Sequence, residues 1–224
     1  MTIDHAADLL YPGMPNIFMS NVMHIIGRLT APIMFFFICE GYHYTKDVKK
    51  YISRLFIFAL ISHFAYCFAF GINFIPFITG NIFNQTSIMW TLAWAVVALH
   101  ILHGKNNLKE WQKWLLIILI NLITFSSDFS SIAVMAILFM YERRGNLKRQ
   151  MISMMAWLGL YALISYLFVS KTYGLIALAA VLVYPLLKNY NGERGKSKMV
   201  KMVLLFILSI TLNNYWCIKT VYVW

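Results

Sequence analysis

Asp4 and His5 stand side by side near the start of the chain. An imidazole with a pKa of about 6.5 suits a general base at neutral pH, and a neighbouring carboxylate can orient it. Adjacent helical residues diverge by about 100°, so Asp4 can instead pair with another helix, or both can belong to an ordinary polar terminus. His24 and Arg28, spaced i, i+4, share one helix face. Gly27 beside Arg28 lets a neighbouring helix come close. Arg28 interrupts an apolar run, and a buried guanidinium needs an acid or a polar substrate beside it. Asp4 and Asp128 lie at a similar expected depth, so an Arg–Asp bridge and a substrate contact are equal readings. His24 packs or makes a hydrogen bond. Asp128, in Ser126-Ser127-Asp128, can otherwise cap the next helix.

Glu40 and Gly41 close the same span, with His43, Thr45 and Arg54 close behind. A Glu40–Arg54 ion pair across the short loop is the structural reading. The functional reading is a polar mouth, reinforced by Lys46, Lys49 and Lys50, that admits an anionic cofactor from the cytoplasm. His63 and His100, single histidines on apolar helices, read as satisfied core or interface residues. The six histidines show no HExxH or clustered spacing, so no metal site is expected; P-loop, GxSxG and GxGxxG motifs are absent too.

These residues need helices in lipid to place them. The chain has 224 residues, 61% hydrophobic and 12% charged, against roughly 45–50% and about 25% in soluble domains. An ordinary soluble domain and a disordered chain are both excluded. A crossing helix needs about 20 apolar residues. Phe18–Gly41, Tyr51–Phe77 (ended or bent by Gly71 and Pro76), Ser87–His103, Ile152–Val169, Leu175–Leu187 and Met202–Ile218 qualify or come near. Trp114–Thr124 and Ile132–Tyr141 read as two short helices turning at the polar knot around Asp128. The first residues, through Pro12-Gly13, resemble the last turns of a helix and lack the features of a signal peptide. The expectation is that the real start lies upstream, or that the chain begins mid-helix. The fold class is therefore all-α: a single polytopic membrane helical bundle over 1–224, with about eight transmembrane helices plus a truncated N-terminal helix. Cys39, Cys67 and Cys217, without a CxxC pair, read as small buried hydrophobes.

The net charge of +11 has a topological cause. Sixteen of the 19 basic residues fall in alternate loops: 46–54, 105–113, 143–149 and 188–201. Only Lys171 and Lys219 fall opposite, and Arg28 lies within a span. The positive-inside rule makes the basic loops cytoplasmic. The excess is thus not a nucleic-acid footprint, and the partner expected from composition is membrane lipid. Trp111, Trp114, Tyr141, Tyr161, Tyr173 and Tyr184, near span ends, read as interfacial anchors or core.

The stretch Gly27-Arg28, Pro32, Phe35-Phe36-Phe37, Glu40-Gly41, Thr45, Tyr51, Arg54-Leu55 and Phe58-Ala59-Leu60-Ile61-Ser62 resembles the signature of the TraX family of polytopic membrane proteins. The likeness reaches back to Ile3-Asp4-His5 and Tyr11-Pro12-Gly13, and forward weakly through Asp128 to Tyr190–Gly195. The resemblance implies a bacterial cytoplasmic-membrane acyltransferase that takes an acetyl group from acetyl-CoA. Its acceptor would be pilin or another surface protein. On that reading His5 is the base, Asp4 its orienter and Arg28 the contact to the donor's carbonyl or an anionic group. Glu40, Gly41 and Arg54 then shape the coenzyme's mouth. A transporter or flippase, with Arg28, Asp128 and the histidines along its path, is the second reading, although no internal repeat supports it. A non-catalytic pilus or fimbrial assembly factor is the third.

Two departures from the family pattern stand out. His63-Phe64-Ala65 follows the second signature where many members carry an acid and a proline. The family also usually ends in an aromatic run and Tyr-Pro-x-His, where this chain has Lys201–Leu212. Deleting one nucleotide from a permitted coding of that stretch yields Lys-Trp-Phe-Phe-Tyr-Leu-Phe-Tyr-Pro-Leu-His. A one-nucleotide frameshift near Lys201 is therefore expected, and codons that cannot yield the aromatic run would exclude it.

Overall fold

A computed structural model describes residues 3, 7, 10, 11, 17–75, 85–168 and 170–190. Asp4, His5, Met202–Ile218 and the region of the expected frameshift lie outside them. The described chain is helical: α1 Phe18–Arg28, α2 Thr30–Tyr44, α3 Val48–Phe70, α4 Ile88–His103, α5 Glu110–Thr124, α6 Ser130–Glu142, α7 Leu147–Phe168, α8 Lys171–Ala177, a 3-10 segment Leu178–Leu182 and α9 Val183–Lys188. Four stretches are long and apolar enough to cross a membrane: Phe18–Tyr44, Val48–Phe68, Leu147–Phe168 and Lys171–Lys188. Ile88–His103 and Ser130–Glu142 are apolar but shorter. The described residues thus hold four full-length candidates where the sequence suggested about eight.

The shorter helices form the centre. Ile88, Leu92, Val96 and Leu99 of α4, with Val134, Ile137 and Met140 of α6, are fully buried. Ala93, Ala95, Ala98, Ala133 and Ala136 are buried beside them, and small residues let helices approach closely where water supplies no driving force. α2, α3, α5 and α7 pack around this pair. The outward faces carry Ile57, Leu60, Leu115, Ile118, Leu122, Leu163 and Leu167, as lipid contact requires.

α4 and α6 have 16 and 13 residues. At about 1.5 Å per residue they span roughly 24 and 20 Å, short of the ~30 Å hydrocarbon core. Both end among the basic loops, so both begin at depth, and non-helical backbone at such depth must be satisfied by protein. Thr86 and Ser127 form an isolated parallel bridge there. Gln85 N–H donates to the Ser126 carbonyl (2.7 Å) and Asp128 N–H to the Thr86 carbonyl (3.2 Å). The Ser127 hydroxyl donates to the Thr124 carbonyl (2.7 Å) and also bonds the Thr91 hydroxyl.

At the other end, three basic loops meet. Tyr42 packs edge-on against Tyr141 (5.3 Å), and His103 lies 4.9 Å from the same ring. Asp47 caps α3, its carboxylate accepting from Lys50 N–H (3.0 Å). That bond holds the Asp47 carboxyl below its ordinary pKa. The capping contribution is complete above the unfolded pKa of about 4 and is lost as pH falls through the lower folded value. Asp47→Asn should flatten this acid limb in a denaturation series from pH 5 to pH 2.

The elbow between α7 and α8 is tight. Ser170 caps α8 through Tyr173 N–H (3.1 Å), and Gly174 lies against α7. A Cβ at Gly174 would sit 2.5 Å from Tyr166 Cβ, 2.7 Å from Tyr166 Cα and 2.8 Å from the Ala162 carbonyl oxygen. Gly174→Ala must push the helices apart, at about 1–3 kcal/mol. A lowered thermal midpoint in detergent is the expected result, whereas an unchanged midpoint would contradict this packing.

Candidate functional site

Arg28 ends α1 inside the long stretch Phe18–Tyr44 and is 7% exposed. The helical path breaks at Leu29, immediately after it, and resumes at Thr30. His24, one turn earlier, is 1% exposed, and Ser20, a further turn back on the same face, is fully buried. This polar stripe faces protein, as intramembrane polar groups do. α1 packs against α8.

Aromatic rings receive the guanidinium. Arg28 Cζ lies 4.3 Å from the centroid of Tyr173 and 5.8 Å from that of Phe129. Phe129 stacks on Tyr161 (4.8 Å, 22° between planes) and meets Phe35 edge-on at 5.9 Å. The Tyr161 and Tyr173 hydroxyls are 3.1 Å apart. Both phenols feel the charges of Arg28 and Asp128. Asp128 arrives on the turn that pairs with Thr86. The structure therefore brings Arg28, Asp128, Phe129, Tyr161 and Tyr173 together from α1, the α5–α6 turn, α7 and α8.

Asp128 is not at the cap position of α6, one of the two roles that the sequence left open for it. The cap position is Phe129, with no side-chain bond to the first turn. The chain enters α6 through Ser130 at φ +51°, a left-handed conformation uncommon for a residue with a Cβ. That turn directs the helix away from Asp128 and places Phe129 against Tyr161.

The polar residues at the basic end pair differently from the expectation. Glu40 pairs with Arg144, not with Arg54. Arg144 Nε donates to Glu40 Oε1 and Arg144 Nη2 to Glu40 Oε2, each at 2.9 Å. The side chains are 23% and 14% exposed, and this bidentate geometry matches a guanidinium fork to a carboxylate. Arg144 also lies over the Tyr44 ring (5.0 Å), and its pKa is raised, chiefly by the Glu40 hydrogen bond. Arg54 instead is exposed, its Nε donating to the Lys50 carbonyl one turn back (3.2 Å). Helix i, i+4 geometry keeps Arg54 on its own helix, while the α6–α7 turn delivers Arg144 to the end of α2. The Tyr51 hydroxyl rests against the Gly41 backbone; a Cβ there would lie 2.6 Å from that oxygen. Tyr190 adds an aromatic edge through Phe36 (5.7 Å) and Phe37 (5.4 Å).

His63 is hydrogen-bonded as a satisfied core histidine should be, Nδ1 to the Thr86 hydroxyl (3.0 Å) and Nε2 to the Phe74 carbonyl (2.9 Å). His100 packs edge-on to Tyr42 at 6.4 Å. Cys39 and Cys67 are buried free thiols. Trp111 and Trp114 are exposed on α5, as anchors require. Tyr161 and Tyr173 serve the buried cluster instead. No local signal marks them or Arg144, because aromatic residues near span ends and basic residues in loops have ready explanations as anchors and topology signals.

The Glu40–Arg144 pair generates a prediction. A double-mutant cycle with Glu40→Gln and Arg144→Gln should give a coupling of about 1–2 kcal/mol, above the usual exposed pair and discounted for partial exposure. Arg54→Gln should change stability by less than about 0.5 kcal/mol. Thermal unfolding of the four proteins in one detergent measures both.

Comparison with known proteins adds three findings. A family model described as TraX protein matches residues 1–211. The chain is 32% identical over 102 residues to "Probable fimbrial assembly protein FimC, serogroup H1" of Dichelobacter nodosus, a match covering 45% of this chain and 41% of that protein. It thus spans less than half the length of that curated relative. No solved structure matches the chain.

Proposed function

The chain belongs to the TraX family, and on that premise we propose that it is a membrane acyltransferase serving surface fibres. It would move an acetyl group from acetyl-CoA to pilin or another extracytoplasmic acceptor. The observation that carries this reading is Arg28: a guanidinium 7% exposed, midway along an apolar stretch, against the rings of Tyr173 and Phe129 and within one cluster with Asp128. Membrane helices seldom bury such a group without a task for it.

The chemistry needs a base on the acceptor and donors for the developing oxyanion. His5, with Asp4 as orienter, is proposed as the base. Arg28 is proposed to contact the donor's carbonyl or an anionic group. At the basic end, Glu40, Gly41 and Arg54 were the expected mouth for the coenzyme, and the Glu40–Arg144 fork beneath Tyr44 makes Arg144 the better-placed cation. The basic loops meeting there suit an anionic donor entering from the cytoplasm, with the protein lying multi-pass in the inner membrane. From Glu40 to Arg28 is roughly 18 Å along the helix axis at about 1.5 Å per residue. A long thioester arm from the basic end is what would connect them.

A second reading, a non-catalytic assembly factor, is favoured by the name of the fimbrial relative. Intact-mass spectrometry of pilus and surface proteins, with and without this gene, separates the two. Loss of an acyl group in the deletion strain, not restored by Arg28→Ala at normal membrane abundance, is expected of the enzyme. Unmodified pilin in both strains, with fibre assembly lost only in the deletion, would favour the assembly factor and overturn acyl transfer.

A further inference from the structure

Tyr161 and Tyr173, read from the sequence only as interfacial anchors or core, are half-buried, and their surroundings define a further role. Tyr161 stands on α7 and Tyr173 in the first turn of α8, their hydroxyls 3.1 Å apart. Each ring is clamped separately: Tyr161 by Phe129 in a stack, Tyr173 by the guanidinium of Arg28. The elbow that carries them is held by Ser170 N–H to the Ser165 carbonyl (3.0 Å), by Gly174 N–H to the Ser170 carbonyl (3.1 Å) and by the close approach of Gly174 to Tyr166. Ser165, one turn beyond Tyr161 on α7, is buried on the same helix face.

A hydroxyl donates one hydrogen and can accept two. The bond between the Tyr161 and Tyr173 hydroxyls can therefore run in either direction. In one, Tyr173 donates to Tyr161. In the other, Tyr161 donates to Tyr173, so the Tyr173 hydrogen is available to a third partner. The hydroxyl best placed to meet new negative charge is then that of Tyr173, whose ring lies under the guanidinium, fixed before the charge appears, which is the requirement for oxyanion stabilisation.

We propose that Tyr173 is a catalytic residue that donates its phenolic hydrogen to the carbonyl oxygen of the transferred acyl group, with Tyr161 as its positioning residue and Arg28 supplying positive charge. The proposal rests on the acyl-transfer reading. In the step it assists, the acceptor's nitrogen or oxygen bonds to the thioester carbon, and the carbonyl π pair moves onto oxygen, where Tyr173 and Arg28 hold it. The pair returns as the carbon–sulfur bond breaks. The acceptor's proton passes through the base to the departing thiolate, giving a free thiol and the acylated acceptor. Phenol, guanidinium and base end in their starting protonation states.

The test uses the full chain in proteoliposomes, with acetyl-CoA as donor and a peptide of the pilin N-terminus as acceptor. Thiol release and peptide mass are followed together. Tyr173→Phe removes one oxygen and keeps the ring under Arg28, so its thermal midpoint should match the parent. Its kcat should fall about 10²-fold, with KM for acetyl-CoA within about twofold. Tyr161→Phe should lower kcat about 10-fold, again without a KM change, a split that a merely structural defect would not produce. Parent-like kcat in Tyr173→Phe, with the parent active, overturns the role of Tyr173 and leaves acyl transfer standing. An inactive but folded parent overturns both.

Discussion

Two helices at the centre of the bundle stop short of the membrane's thickness, and the backbone beyond their ends must find partners inside the protein. Everything at that depth depends on how this is met. The pairing of Thr86 with Ser127, closed by Gln85 N–H to Ser126 and Asp128 N–H to Thr86, satisfies the segments preceding α4 and α6 at once. Buried hydroxyls of Thr91, Thr124 and Ser127 complete it. Without that exchange, each buried carbonyl and N–H would remain unsatisfied in hydrocarbon, at several kcal/mol apiece.

The same turn has a second consequence. Its entry into α6 through a left-handed Ser130 turns Phe129 onto Tyr161 and carries Asp128 to the vicinity of Arg28. The buried cation is thus enclosed by elements remote in sequence: its own helix, the α5–α6 turn and the α7–α8 elbow. A guanidinium suits this environment because its flat, weakly hydrated face stacks on rings while its edges still donate. At the opposite end a second guanidinium, Arg144, meets Glu40 as a fork and Tyr44 as a face. Helices α1 and α2 join the two ends, with the break at Leu29 directly below the first cation.

Much of this was legible in the residues. The apolar runs around α1–α2, α3, α4 and α7 followed from hydropathy, and the short pair α5 and α6 from the polar residues between them. Arg28 was legible as an anomaly because a charge inside a span is expensive wherever it stands. Its neighbours were not. Tyr161 and Tyr173 lie where interfacial aromatics belong, and nothing local distinguishes an anchoring tyrosine from one paired with another across two helices. Glu40 was given Arg54 because proximity in sequence is the only proximity a sequence displays; the pairing found joins residues 104 positions apart.

By itself the sequence determined the features that rest on local, additive free energies. Burial of apolar side chains sets which segments become helices in lipid, and the clustering of lysine and arginine in alternate loops marks which ends belong together. The tertiary structure decided the features that depend on direction: which face of α1 Arg28 presents, where the chain turns at Ser130, and which arginine reaches Glu40. Hydrogen bonds, ring stacking and ion pairs at these points act over a few ångströms and at defined angles. They come into being only after the helices have packed, and helix packing in a membrane is a choice among small surface details that a hydropathy pattern does not encode.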